Sequence, residues 1–195
     1  MKFLVWILLA LPGVWQTVQL SRVDMSQPDQ LRSVIQATGD YAAWLIILTL
    51  CITPLVRLTR GQAFARWLQK NRRYIGVAAF FYTVAHTYLY ILRRGWAVIG
   101  DSLHYSIWTG WLALFILVPL TVTSNDAMVR RMGPAWKRLQ KWAYAAAVLT
   151  LLHWITLHRG DLIPLALASF LPLAILTWTR LRGTRIRKAQ GEPPG

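Results

Sequence analysis

Four histidines are the side chains of this protein best suited to chemistry within or beside its long apolar segments: His86, His104, His153 and His158. Imidazole is both a metal ligand and a proton carrier near neutral pH. A histidine inside a membrane span is costly to bury and is therefore a functional candidate. A carbonyl or hydroxyl group of a neighbouring helix can also satisfy it, so both interpretations are open for each histidine taken alone.

His86 and His153 form a pair by their position along the chain. His86 lies 13 residues after Arg73, and His153 lies 12 residues after Lys141. At a helical rise of about 1.5 Å per residue, these separations correspond to depths of about 20 Å and about 18 Å. On two parallel helices, imidazoles at matched depth can bind a planar metal cofactor from opposite faces, which suits a b-type haem. The spacing predicts a haem in the outer half of a membrane, with His86 and His153 as axial ligands of its iron.

The other candidate residues lie toward the outer ends of the same segments. His158 follows His153 by five residues and could replace it as ligand, bind a haem propionate or face water. His104 lies beside Tyr105 in an outer loop and is predicted to be solvated or to face a partner. Three outer arginines could neutralise propionates or could be ordinary solvated loop residues: Arg93, Arg94 and Arg159.

Long apolar segments must position these residues. The composition is 55% hydrophobic and only 15% charged, and a membrane helix needs about 20 apolar residues to cross a hydrocarbon core about 30 Å thick. A soluble core could not bury all the qualifying segments and keep a polar shell. The sequence predicts an all-α integral membrane protein, a six-helix bundle in one domain, 1–182, with a disordered basic tail, 183–195. The predicted spans are about 3–20, 41–56, 74–92, 107–124, 142–157 and 162–179.

The distribution of basic residues predicts the orientation of these spans. If the connections alternate between two sides, one side receives 17 of the 22 basic residues and the other receives five. Five of the seven acidic residues fall on the less basic side. By the positive-inside rule the basic side is cytoplasmic, so both termini are predicted to face the cytoplasm. The net charge of +15 is therefore a topology signal, reinforced by anionic lipid, and does not indicate nucleic-acid binding.

The first span has an alternative interpretation as a signal peptide. Lys2 followed by an apolar run is typical of such a leader. However, no Ala-x-Ala-like cleavage site follows, and the apolar character continues to Leu20. We expect a retained first helix.

No soluble redox motif accompanies the spans. The single cysteine, Cys51, falls within the second span and is predicted to be a small hydrophobic residue without a role. The sequence contains no CxxC pair and no Gly-rich nucleotide loop. We therefore expect any reducing power to come from a partner or from a membrane-soluble donor.

Four stretches carry a resemblance to a known family. These are 39–54, which ends Thr-Leu-Cys-Ile-Thr-Pro; 72–76, Arg-Arg-Tyr-Ile-Gly, which leads to Ala85-His86; 123–128, Thr-Ser-Asn-Asp-Ala-Met; and 131–139, Arg-Met-Gly-Pro-Ala-Trp-Lys-Arg-Leu, followed by Tyr144 and Leu152-His153. By their order and spacing the chain resembles the MsrQ family, also called YedZ, of the ferric-reductase-like transmembrane superfamily.

The resemblance implies a haem-b subunit of the bacterial inner membrane without a substrate-reducing site of its own. Such a subunit passes electrons to a periplasmic molybdenum enzyme, MsrP, which reduces methionine sulfoxide. The implied donors are the quinone pool or a cytoplasmic flavin reductase, and some family members are associated with FMN. His86 and His153 fall on family haem-ligand positions.

One position departs from the family pattern. The family usually carries a histidine directly after the Trp-x-x-Leu element, where this chain has Gln140. Glutamine is a poor ligand of haem iron, so an inner bis-histidine haem cannot be built. We expect one firmly held haem, and a second haem would need a weak or non-histidine ligand. Either a second cofactor bridges the inner half, or the donor reaches the haem within the membrane, and the second alternative favours quinol over a flavin reductase.

Two other classes of function compete with electron transfer. A small transporter is disfavoured because the spans contain no acidic relay, charged pathway residue or inverted repeat. An assembly or scaffold protein for a periplasmic enzyme would use the outer loops as its contact surface. A visible spectrum distinguishes these alternatives, because only the first requires a reducible haem.

Overall fold

The computed structural model describes residues 2–22, 28–157, 170–171, 174–175 and 178, and this part of the chain is helical without any strand. A 3-10 turn, Gly95–Ala97, lies between the third and fourth α-helices. The α-helices are α1 Lys2–Ser21, α2 Pro28–Leu58, α3 Ala63–Arg94, α4 Val98–Asp101, α5 Tyr105–Val122, α6 Asp126–Met132, α7 Pro134–Gln140 and α8 Trp142–Leu157.

The helices confirm the predicted all-helical membrane architecture. Those long and apolar enough to cross a membrane are Phe3–Ser21, Gln30–Leu58, Ala63–Asp101 and Tyr105–Val122. They correspond to the first four predicted spans, and α8 coincides with the fifth, 142–157. The sixth span, 162–179, lies outside the described residues except at a few positions, and the tail, 183–195, lies wholly outside them. The count of six helices stays a prediction.

Two of the helices are longer than their predicted spans. α2 begins at Pro28 rather than near residue 41, and α3 begins at Ala63 rather than near residue 74. A hydropathy window detects only the part of a helix that crosses the hydrocarbon. The amphipathic beginning of α2 instead buries Leu31 and Ile35 against the bundle. Much of the connection expected at 21–40 is therefore helical, and it brings further side chains to the end of the bundle where His86 lies.

Four helices form the centre of the molecule. α2 packs on α3, α3 on α5, α5 on α8 and α8 on α2, so that the four make a closed ring. The residues with the least exposed surface in this ring include Ala43, Ala79, Ala146 and Ala147, which are at most 2% exposed. Small side chains let helix backbones approach closely, which is a main source of helix association in lipid.

α1 lies outside this ring, against α2 and α3. The Tyr82 hydroxyl of α3 donates a hydrogen bond of 2.8 Å to the carbonyl oxygen of Leu9. Gly13 permits this approach, because a Cβ at that position would lie 3.2 Å from the tyrosine oxygen. Retention of α1 in the mature protein stays a prediction.

Two short helices, α6 and α7, connect α5 to α8. Asn125 caps α6, and the following Asp126 forms an ion pair with Arg73 of α3. The indole nitrogen of Trp136 in α7 donates to the carbonyl oxygen of Thr123 at 3.0 Å. These contacts hold the connection against α3 and against the end of α5.

The uneven distribution of basic residues leads to a test of orientation. A green fluorescent protein fused after Gly195 should fluoresce, whereas alkaline phosphatase at the same position should be inactive, because both termini are predicted to face the cytoplasm. The matched control is a linker-flanked insertion of each reporter after Gly100, in the connection between α3 and α5, where the activities should be reversed. Active phosphatase after Gly195 would overturn the orientation and the predicted haem depth.

Candidate functional site

A cavity of about 280 Å³ lies between α2, α3, α5 and α8, and each of these helices contributes to its lining. Its walls are mainly apolar, and the residues that provide them include Ala42, Ile46, Ala113 and Leu117. Its polar lining includes several charged or hydrogen-bonding side chains from the beginning of α2 and the end of α3, namely Arg32, Gln36, Asp40, Tyr90 and Arg93. An apolar cavity with a few polar groups suits a flat, largely apolar cofactor that carries charged groups at one edge.

His86 lies in this cavity on α3 and is oriented by α2. Its Nδ1 is 2.7 Å from the carbonyl oxygen of Ile35. A carbonyl oxygen only accepts hydrogen bonds, so Nδ1 carries the proton and donates it. In the neutral ring this tautomer places the lone pair on Nε2, through which an imidazole can bind a metal.

His153 has the same arrangement on the other helix pair. Its Nδ1 lies 2.6 Å from the carbonyl oxygen of Ser106, so a ring on α8 is oriented by the backbone of α5. The same reasoning assigns the proton to Nδ1 and the lone pair to Nε2. Each histidine is thus held in its metal-binding tautomer by a backbone carbonyl of the helix beside it.

The two rings meet in the cavity with a separation that fits one metal atom. Their centroids are 6.3 Å apart and their planes cross at 88°. Two metal–imidazole bonds of about 2 Å, with each ring centre about 1.2 Å behind its nitrogen, place the ring centres about 6.4 Å apart. His86 and His153 could together hold a b-type haem, which would supply one-electron chemistry at its iron. The residues present therefore fit a haem.

The histidines thus separate into three groups. The structure brings His86 and His153 together, as their matched depths predicted, and both line the cavity. His104 is the exposed residue directly before α5 and is not part of the cavity lining. His158 lies outside the described residues.

The three arginines proposed from the sequence do not share one location. Arg93 lines the cavity and stays a candidate propionate contact. Arg94 is not part of the lining. Its guanidinium group instead donates two hydrogen bonds to the carboxylate of Asp101, at 2.5 and 2.7 Å. The Tyr90 hydroxyl donates to the same carboxylate at 2.9 Å. Arg94 is therefore engaged by a carboxylate beside the cavity, and Arg159 lies outside the described residues.

Sequence reasoning missed Arg32 of α2, which also lines the cavity. Within the described residues neither Arg32 nor Arg93 forms an ion pair, so the cavity has two cations suited to carboxylates of a bound group. Arg32, Gln36 and Asp40 follow one another at intervals of four, which places them on one face of a helix. This spacing would have shown that Arg32 shares a helix face with Gln36 and Asp40 if the beginning of α2 had been predicted to be helical.

Gln140 stands where the resemblance implies a histidine, and it makes a contact between helices. It ends α7, and its Nε2 donates to the carbonyl oxygen of Leu120 in the last turn of α5 at 3.1 Å. Carbonyl groups in the last turn of a helix lack intrahelical partners, and this one accepts from Gln140 as well as from the Ser124 hydroxyl, at 2.6 Å. Arg73, at the matching position on α3, is paired with Asp126. Both residues therefore make contacts between helices.

Comparison with known proteins gives a consistent result. The family model described as ferric reductase like transmembrane component matches residues 38–151, a range that contains His86 and ends just before His153. No solved structure is significantly similar to this chain.

Several curated proteins named protein-methionine-sulfoxide reductase heme-binding subunit MsrQ are similar over most of their length. The one from Xanthomonas oryzae pv. oryzae is 32% identical over 188 residues, covering 92% of this chain and 84% of the relative. The one from Brucella anthropi is 32% identical over 201 residues, covering 98% and 88%. The one from Ralstonia nicotianae is 31% identical over 195 residues, covering 94% and 88%. With its long apolar helices, this chain is a multi-pass membrane protein that belongs to the ferric-reductase-like transmembrane family and, within it, to the MsrQ family.

Proposed function

We propose that this protein is a haem-binding electron-transfer subunit of the bacterial inner membrane. The Nε2 atoms of His86 and His153 would ligate the iron of a b-type haem in the cavity between α2, α3, α5 and α8. The observation that carries this proposal is the pair of crossed rings 6.3 Å apart, each held in its metal-binding tautomer by a backbone carbonyl. The relatives whose names include "heme-binding subunit" support it.

A bound haem would supply one-electron chemistry at its iron, and the chain would supply the surroundings. The hydrogen bonds from Nδ1 to the carbonyl groups of Ile35 and Ser106 fix the rings and raise the basicity of the ligand nitrogens. The apolar walls exclude water, which lowers the local dielectric and helps set the reduction potential. Arg32 and Arg93 would neutralise the propionates.

The electron acceptor would be a periplasmic, molybdenum-dependent methionine sulfoxide reductase of the MsrP kind. The names of the relatives refer to a methionine-sulfoxide reductase system. His86 lies near the end of α3 that the basic residues predict to be periplasmic, so the haem would be close to a partner on that side. In this proposal the chain conducts electrons to the partner, which reduces the substrate.

The donor follows from the depth of the site. About 20 Å of helix separates His86 from Arg73, the nearest preceding charge on the cytoplasmic side. Electron tunnelling over that distance without a relay would be slow, so a cytoplasmic flavin reductase would need an additional cofactor such as FMN in the inner half. A quinol diffuses within the lipid and can approach the haem directly. We therefore favour quinol as the donor.

A reduction experiment tests both the function and the donor. The protein purified into lipid nanodiscs should show the visible spectrum of a low-spin b-type haem, and a quinol should reduce it. A flavin reductase with NADH and FMN, at the same concentration of reducing equivalents, should reduce it more slowly. Faster reduction by the flavin system would reverse the choice of donor. A colourless preparation that also fails to bind added haemin would overturn the proposed function and favour a scaffold role.

A further inference from the structure

The two histidines lie in matching backbone cradles on different helix pairs. His86 donates to the carbonyl oxygen of Ile35, and its ring lies over Gly39, four residues further along α2. His153 donates to the carbonyl oxygen of Ser106, and its ring lies over Gly110, four residues further along α5. In both cradles the carbonyl group and the glycine occupy positions i and i+4 of one helix.

Helix geometry explains why position i+4 is close to the ring. The carbonyl oxygen of residue i points along the helix toward the N–H group of residue i+4. A ring that donates to this oxygen from outside the helix therefore lies beside the Cα atom of residue i+4. A carbonyl oxygen has two lone pairs, so it can accept from the imidazole as well as from the backbone.

Only a glycine leaves enough room for the ring at that place. A Cβ atom at Gly39 would lie 2.8 Å from Nδ1 and 2.9 Å from Cε1 of His86. At Gly110 it would lie 2.8 Å from Cε1 and 2.9 Å from Nδ1 of His153. Carbon atoms in favourable contact are about 3.5–4.0 Å apart, so a methyl group would push either ring away from its carbonyl partner.

We propose that Gly39 and Gly110 are positioning residues that set the planes of the two ligand imidazoles. This inference rests on the proposed function, in which both rings ligate a haem iron. Each glycine lets its ring approach closely enough to keep the Nδ1 hydrogen bond, and with both rings held in this way their planes cross at 88°. The chain therefore fixes the orientation of each axial ligand about its bond to iron, as well as its distance.

Alanine at either glycine should alter the binding and the EPR signal of the haem, beyond any effect on helix stability. Gly39→Ala and Gly110→Ala are each expected to release haem to an excess of apomyoglobin about 10-fold faster, since loss of an outer-shell partner of a metal ligand costs about 10–100-fold in affinity. The ferric protein should give the highly anisotropic low-spin EPR signal of crossed axial imidazoles. Each variant should shift that signal toward a rhombic or a high-spin form.

Gly76→Ala and Gly100→Ala are the matched controls. A Cβ at Gly76 would make an ordinary contact of 3.5 Å with Thr49, and a Cβ at Gly100 would meet nothing within 4 Å. Alanine is a better helix former than glycine, so neither change should impair folding. Both controls should keep the EPR signal and the haem release rate of the unchanged protein.

A double-substitution cycle separates a positioning effect from a general packing defect. If Gly39→Ala acts through the ring, its effect on the thermal midpoint of the haem-free protein should vanish in a His86→Ala background. An effect that persists there would show that the glycine serves α2–α3 packing and would refute the inference. An unchanged EPR signal and release rate in both glycine variants would also refute it, while leaving the proposed function intact. Absence of haem from the unchanged protein would instead remove the proposed function.

Discussion

Alanine in place of His86 or of His153 is expected to abolish the low-spin haem spectrum and, with it, electron delivery to the partner reductase. Either change removes one axial imidazole and leaves the iron with an open position. Loss of an outer-shell contact alone costs about 10–100-fold in metal affinity, so loss of a ligand should lower haem affinity by more than about 100-fold. Spectra and haem content of the purified variants measure this effect directly.

His104→Ala is the matched control, because it removes the same ring from an exposed position before α5. Its spectrum and haem content should be unchanged. A second arm uses His86→Gly and His153→Gly with free imidazole, which should restore part of the low-spin spectrum if only the ligand is missing. A normal spectrum in His153→Ala, combined with its loss in His158→Ala, would move the α8 ligand to the residue five positions later.

The pairing of His86 with His153 could be predicted because it depends on quantities that the sequence carries. Basic residues indicate where each span enters the hydrocarbon, and helical rise converts a residue count from that point into depth. In a small bundle, two histidines at equal depth on parallel spans are expected to lie close together. The structure shows them together in one cavity, although their role as ligands has still to be tested.

The surroundings of the rings could not be predicted in the same way. The carbonyl groups that orient the rings belong to Ile35 and Ser106, whose side-chain types give no indication of that contact. Arg32 was missed because it lies beyond the apolar part of α2, in a segment that hydropathy assigned to a connection. Hydropathy locates the hydrocarbon, whereas tertiary packing decides how far a helix continues beyond it.

A further prediction concerns the number of haems and depends on the half of the bundle that contains Gln140 and Arg73. Gln140 stands where the resemblance implies a further histidine, and Arg73 lies 13 residues before His86, at the corresponding level of α3. Gln140 is bonded to the end of α5 and Arg73 to Asp126, so both side chains serve helix contacts. An arginine stays protonated in proteins and cannot ligate iron. The chain should therefore bind one haem, the one between His86 and His153.

Haem quantitation of the purified protein should accordingly give about one haem per chain. Gln140→His should leave this ratio nearly unchanged, because a single histidine at the inner level provides at best a five-coordinate, loosely held haem. Gln140→Ala is its control: it removes the hydrogen bond to Leu120, at a cost of about 1 kcal/mol, without supplying a ligand. The combined variant Arg73→His with Gln140→His supplies ligands on both helices and should raise the ratio toward two. Two haems in the unchanged protein would refute this account, and would mean that a group other than histidine ligates the inner iron.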